Sequence, residues 1–234
     1  MIDNLIASLA RRQHGYVTRP QLLEAGLGVK AIEYRVKAGR LIPIYAGVYA
    51  VGHVPTAPAD RAYAAVLVCG AGSVLSHSSA LALWGWGGEL RPPFEVTAPT
   101  DHRRRGIRVH RSTSLGRRDV RTFNGIPVTS PARTLLDVAP RLAPKARRRV
   151  VREARLSKQL RLDALADVVG RFERHPGARL LLPFVTAPTG PTRSEFEDAF
   201  VAFCERYDLP KPNVNVKVLV GTPWLGLAEM AAAA

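Results

Sequence analysis

Cysteine is scarce: Cys69 and Cys204 are the two thiols in 234 residues. Two cysteines make neither a disulfide framework nor a cysteine-rich zinc site, so a reducing, cytoplasmic setting is the expectation. Long apolar runs are missing too. The longest, Ala62 to Gly72, falls well short of the roughly 20 residues a membrane-crossing helix needs, and the apolar turn around Leu5–Leu9 is too short for a signal peptide. Lysine is rare beside arginine, 6 against 28, the pattern of a GC-rich genome. Acidic residues are outnumbered 19 to 34, which leaves a net charge of +15. What remains is ordinary for a folded chain: 47% hydrophobic and 23% charged residues exclude disorder as the overall class, and the length allows one or two compact domains.

The basic surplus is not spread evenly. Residues 1–100 carry +3, residues 101–158 carry +13 and residues 159–234 carry −1. Codon bias explains the choice of arginine over lysine, but not its concentration in one quarter of the chain. A local positive field of this kind attracts polyanions, and double-stranded DNA is the expected partner.

The first fifty residues read as three helices and a hairpin. Ile2, Leu5, Ile6 and Leu9 recur at helical spacing over residues 3–13. Thr18 stands where an N-cap belongs, with Pro20 in the first turn, and a third helix runs from Val29 to Ala38 with Gly39 closing it. Leu41–Tyr45 and Val48–Val51 are β-prone runs split by Ala46-Gly47. Three helices and a two-stranded wing make a winged helix-turn-helix. On the third helix Val29, Ile32 and Val36 gather toward the core, while Lys30, Tyr34 and Lys37 gather on another face. Two cations around an aromatic suit phosphate and base-edge contact. Arg40 follows at the helix end, and Arg19 opens the preceding helix.

These motifs resemble the N-terminal domain of AbiEi-type antitoxins. The resemblance rests on Gly15-Tyr16-Val17-Thr18, Ala31-Ile32, Gly39-Arg40-Leu41 and Gly47-Val48-Tyr49-Ala50. It continues through Leu75-Ser76-His77-Ser78-Ser79-Ala80, Val109-His110-Arg111-Ser112 and Ile126–Asp137, and covers about residues 1–170. It implies a DNA-binding domain that represses its own operon, joined to a domain needed for antitoxicity, with a cognate toxin as a possible partner.

The middle of the chain carries no catalytic signature. After Gly70-Ala71-Gly72, Leu75 stands where a dinucleotide fingerprint needs its third glycine. Ser76, His77, Ser78 and Ser79 have no acidic neighbour in sequence and read as a segment that caps and packs a helix; His110 reads as strand scaffold. Ser130-Pro131 starts another helix, on which Arg133 and Asp137 pair across one exposed turn. The basic helix from Pro144 to Leu156 presents Arg147, Arg148, Arg149, Arg152 and Arg155 around a thin stripe of Val150, Val151 and Ala154. Arg103, Arg104 and Arg105 form a loop tip, with Arg108 and Arg111 beyond. The expected DNA contacts are therefore Arg19, Lys30, Tyr34, Lys37, Arg40, Arg103, Arg104, Arg105, Arg147, Arg148 and Arg152. The alternative is that the arginine clusters grip an acidic protein partner.

Pro183–Pro191 reads as a linker, followed by a helix from Thr192 whose Phe196, Phe200, Phe203 and Tyr207 form a buried stripe, and by a strand at Val214–Val220. Arg193-Ser194-Glu195-Phe196-Glu197 and Asn213-Val214-Asn215-Val216 resemble the opening of a restriction-endonuclease-like domain of the very-short-patch-repair type. That resemblance implies a metal-dependent nuclease using Glu197. No Asp follows Asp208 and only Glu229 remains, so the expectation is a truncated segment without catalysis, metal or cofactor. The whole reads as an α+β chain: a winged helix-turn-helix (1–54), a basic mixed α/β domain (55–182), a linker (183–191) and an endonuclease-like segment (192–234).

Overall fold

The computed structural model describes residues 2–101, 104–186, 195–214 and 230–231. It is an α+β fold with two main sheets. The first fifty residues run α1 (Ile2–Arg12), β1 (Tyr16–Thr18), α2 (Arg19–Glu24), α3 (Val29–Lys37), β2 (Leu41–Tyr45) and β3 (Val48–Val51). This is the winged helix-turn-helix arrangement. Its sheet has the order β1-β3-β2, with both pairings antiparallel. The short strand β1 was not expected. Three residues are too few for an alternation pattern, and Val17 and Tyr16 point to two different cores.

Local chemistry sets the boundaries. Thr18 caps α2 in a capping box with Gln21, whose side chain accepts from the Thr18 backbone at 2.9 Å. Gly39 takes φ +69°, the left-handed conformation that lets the chain leave α3, and the Arg40 N–H then bonds the Arg35 carbonyl at 2.9 Å. Ile6, Ala10, Leu22, Leu27, Ile32 and Tyr49 form the small core under the helices.

The second sheet has the order β6-β5-β4-β8-β7, built from β4 (Val74–Leu75), β5 (Phe94–Ala98), β6 (Ile107–Arg111), β7 (Val120–Phe123) and β8 (Ile126–Thr129). β7 and β8 form a hairpin whose Asn124 and Gly125 both have positive φ, as a two-residue turn matching strand twist requires. α4 (Pro58–Cys69) packs on β5, β4 and β8 and also touches all three strands of the first sheet. Tyr16, Val48 and Ala50 of the first sheet therefore belong to the larger core. His14 reinforces the junction, bonding Asp60 at 2.7 Å and lying 4.8 Å from the Tyr63 ring. α5 (His77–Leu83) and α6 (Pro131–Val138) pack on each other, and α5 also packs on β5.

Beyond the sheet come α7 (Pro144–Leu156), α8 (Leu162–Arg171) and α9 (Pro176–Thr186). α9 carries Pro183 inside it, so the first four residues of the expected linker are helical. Gly177 lets α9 approach α6: a Cβ there would run into the Leu136 carbonyl oxygen. The Arg133–Asp137 pair, expected on an exposed turn, is buried, with the two side chains 9% and 2% exposed. The reason is that α8 and α9 cover α6, and Phe172 lies under the Arg133 guanidinium at 4.6 Å. The rest of the described chain is α10 (Glu195–Arg206) and a two-residue pairing of β9 (Asn213–Val214) with β10 (Met230–Ala231). The stripe expected to be buried on α10 is not: Phe200, Phe203 and Tyr207 are all exposed. Phe196 and Glu197 side chains and most of the Val214–Val220 strand lie outside the described residues.

Candidate nucleic-acid interface

α3 presents the face that its rotation predicts. Lys30, Tyr34 and Lys37 fall within about 60° of one another at 100° per residue, and all three are exposed, Tyr34 by 66%. On the opposite side Ile32 is 1% exposed and Val36 packs against the same core. Val29, expected beside them, is exposed in the first turn. α3 is held from behind by Arg35, which reaches back to Asp3 of α1 at 2.9 Å.

Between α3 and the wing runs a groove of about 430 Å³ whose lining includes Arg19, Lys37, Tyr45 and Gly47, with Glu33 also among its walls. Arg19 is half-buried there because its backbone N–H is fixed to the Gly47 carbonyl at 2.8 Å. Arg40 is exposed just past the helix end. The fold therefore brings Arg19 and Lys37 together across one groove and sets Lys30 and Tyr34 along the helix above it.

The arginines that follow the winged helix-turn-helix divide. Arg105 is exposed in the turn before β6, Arg104 is exposed and bridges to Ile107, and Arg103 lies outside the described residues. On α7, Arg148 is exposed and Arg152 half-buried. Arg147 is half-buried and donates to the Ala139 and Leu142 carbonyls at 3.3 and 3.2 Å. Helical rotation explains this. Arg147 sits one turn before Val151 and so shares the stripe with Val150 and Ala154, all three buried.

Sequence order concealed a polar cluster on the second sheet. Glu95 on β5 is 6% exposed, and its carboxylate accepts from Ser78, His110 and Arg141 at 2.7 Å each, with Arg108 at 3.7 Å. Burial alone would raise its pKa; the hydrogen bonds from His110, Ser78 and Arg141 outweigh burial and hold it well below the usual carboxylate range. His77 stacks on His110 with ring centroids 3.7 Å apart. Burial first, and then the charges of His110 and Arg141, push the His77 pKa down to about 3, so the ring is neutral near pH 7. Ser76 occupies the N-cap position of α5, but its hydroxyl lies 3.0 Å from His77 Nδ1 and makes no cap bond. The acid that the sequence lacked near His77 arrives from a strand 18 residues on. No local spacing announces it.

His77, Glu95 and His110 place donor atoms within 4.8 Å of one another. The arrangement does not fit a metal ion. Nearly parallel stacked rings send their in-plane lone pairs side by side, whereas a metal needs them to converge about 2 Å from each nitrogen, and Arg141 already holds the carboxylate.

Comparison with known proteins agrees with this organisation. Residues 4–52 match the family model described as transcriptional regulator, AbiEi antitoxin, and residues 74–182 match that of the AbiEi antitoxin C-terminal domain. Both matches end before the segment resembling an endonuclease. No curated protein matches the chain. Among solved structures, that of the RV2827C protein from Mycobacterium tuberculosis is similar at 15% identity over 77% of this chain and 79% of that one, with a TM-score of 0.38.

Proposed function

The chain belongs to the AbiEi antitoxin family, a family of DNA-binding antitoxins and transcriptional regulators, and on that premise we propose that α3 enters a major groove to repress the chain's own operon. The observation that carries the reading is the exposed Lys30–Tyr34–Lys37 face on a helix whose other side is locked into the winged helix-turn-helix core. Lys30 and Lys37 lie seven residues apart, about 10.5 Å along the axis, close to the ≈ 12 Å width of a major groove. Each lysine can then reach a phosphate on a different strand while Tyr34 contacts bases or sugars between them. Arg19 and the Ala46-Gly47 turn of the wing flank the groove, and Arg40 adds a contact beyond the helix end.

Arg104, Arg105, Arg148 and Arg152 extend the attraction through counterion release. Arg147 contributes charge, but part of its guanidinium is engaged by backbone carbonyls. A cognate toxin is the second partner this reading calls for, and the setting is the cytoplasm. Among the described residues no helix is long and apolar enough to cross a membrane.

A reporter fused to the chain's own upstream region tests the proposal. Expression of the full chain lowers reporter output, and the Lys30→Ala/Lys37→Ala variant, accumulated to the same level, restores it. Equal repression by both proteins removes α3 from the interface.

A further inference from the structure

Contact between α3 and DNA leaves the Glu95 cluster without a role. Parallel pairing sets Glu95 beside Arg108 and Thr97 beside His110, and alternation along β5 and β6 turns all four side chains to one face of the sheet edge. The opposite face of β5, with Phe94, Val96 and Ala98, belongs to the apolar core. Glu95 has its oxygens filled by Ser78, His110 and Arg141, so it serves as an internal counter-ion that aims donors instead of a free acid. Against its single negative charge stand Arg108 and Arg141, which are 60% and 43% exposed. A positive charge is left over even with His110 neutral. The Arg133–Asp137 pair nearby adds none.

A second observation points the same way. Thr97 is 2% exposed, and its hydroxyl has no hydrogen-bond partner. Buried polar atoms are almost always satisfied in native proteins, and leaving one unpaired is costly. A guest that accepts hydrogen bonds and carries negative charge meets both conditions.

We propose that this face of the β5–β6 edge binds a phosphate group, held by Arg108 and Arg141 beside His110 and over the Thr97 hydroxyl. A phosphate offers several acceptor oxygens to the two guanidinium forks, each making a charge-assisted bond, while His110, its Nε2–H already given to Glu95, lines the site. The surplus positive charge excludes a free cation from the same place. The phosphate belongs either to a nucleotide or to the DNA backbone, and the test separates these sources. His77 is a built-in reporter. Burial keeps it neutral first and its positive surroundings second; a bound anion cancels the second, so its titration moves up when the site fills.

The experiment follows the histidine side-chain resonances of the full chain by NMR while inorganic phosphate, a 5′-mononucleotide, a short duplex and, separately, Zn²⁺ are added. Saturable shifts at His77 and His110 with phosphate or mononucleotide, weakened about tenfold or more in Arg108→Gln/Arg141→Gln, support a nucleotide-type site. Shifts with the duplex alone, equally sensitive to those substitutions, support the site with backbone phosphate as its source. Thr97→Val, close in volume, supplies a second variant that keeps the fold and weakens binding less. Absence of saturable shifts with every phosphate compound in folded protein overturns the proposal. So does a response to Zn²⁺ alone. The outcome is independent of the α3 interface: phosphate binding without duplex binding sustains this inference and refutes the DNA reading.

Discussion

Replacing Lys30 and Lys37 together by alanine isolates the electrostatic part of the proposed α3 contact. Both side chains are exposed and outside the core cluster, so the substitution changes stability by no more than about 0.5 kcal/mol. Each lysine that neutralises a phosphate contributes about −0.9 to the slope of log K against log salt. Removing two therefore shallows the slope by about 1.8. Between 50 and 200 mM salt, the advantage of the parent protein over the variant shrinks by about twelvefold. Fluorescence anisotropy of a labelled duplex, titrated at four or five salt concentrations, reads the slope directly. Circular dichroism checks that the variant is folded. Equal loss of affinity on specific and unrelated duplexes is expected, since phosphate contacts carry no sequence information. An unchanged slope in folded variant protein refutes the placement of both lysines.

Tyr34→Ala is expected to act differently, reducing discrimination between operator and unrelated duplex while leaving the salt slope in place; competition titration checks this. Arg133→Ala strands a buried carboxylate and costs about 3–5 kcal/mol in urea unfolding, whereas Arg133→Met/Asp137→Leu recovers most of that loss. Gly177→Ala forces α9 off the Leu136 carbonyl and destabilises by about 1–3 kcal/mol, measured in the same assay. Acid sensitivity follows from His77: its pKa falls from 6.5 unfolded to about 3 folded, so the unfolded chain binds more protons in that window and stability rises with pH through it. Asp137, raised to about 6 by burial against the pull of Arg133, works in the opposite sense between about pH 4 and 6. The comparison is therefore between parent and His77→Asn, a residue that tolerates the φ of +51° found there. The variant's stability rises less steeply from pH 5 to 6.5; an identical pH dependence excludes His77 as the source.

Elements written into short stretches of sequence were legible. Thr18, Pro20, Gly39 and the Ala46-Gly47 split mark the helix-turn-helix and wing to within a residue, because caps and turns depend on neighbours a few positions away. Ser130 and Pro131 did the same for α6, where Ser130 accepts from the Arg133 N–H at 3.3 Å. Other signals were present but unread. Asn124-Gly125 between two β-prone runs marks the β7–β8 hairpin, and the rotation that buries Val150 and Val151 also turns Arg147 inward. The Glu95 cluster is different in kind. Its members come from residues 77 to 141 and meet through parallel pairing and helix docking, which no local pattern encodes. The burial of Arg133 and Asp137 has the same origin, since the elements that cover them, α8 and α9, come 25 or more residues later.

Hydrogen exchange of the full chain, with and without a duplex carrying its own upstream region, locates the contact most directly. Slowed exchange at the amides of α3 and of the β2–β3 wing, weakened by added salt, is the predicted result. Folded protein that binds the duplex while α3 and the wing exchange at unchanged rates, or that binds no duplex even in dilute buffer, contradicts it.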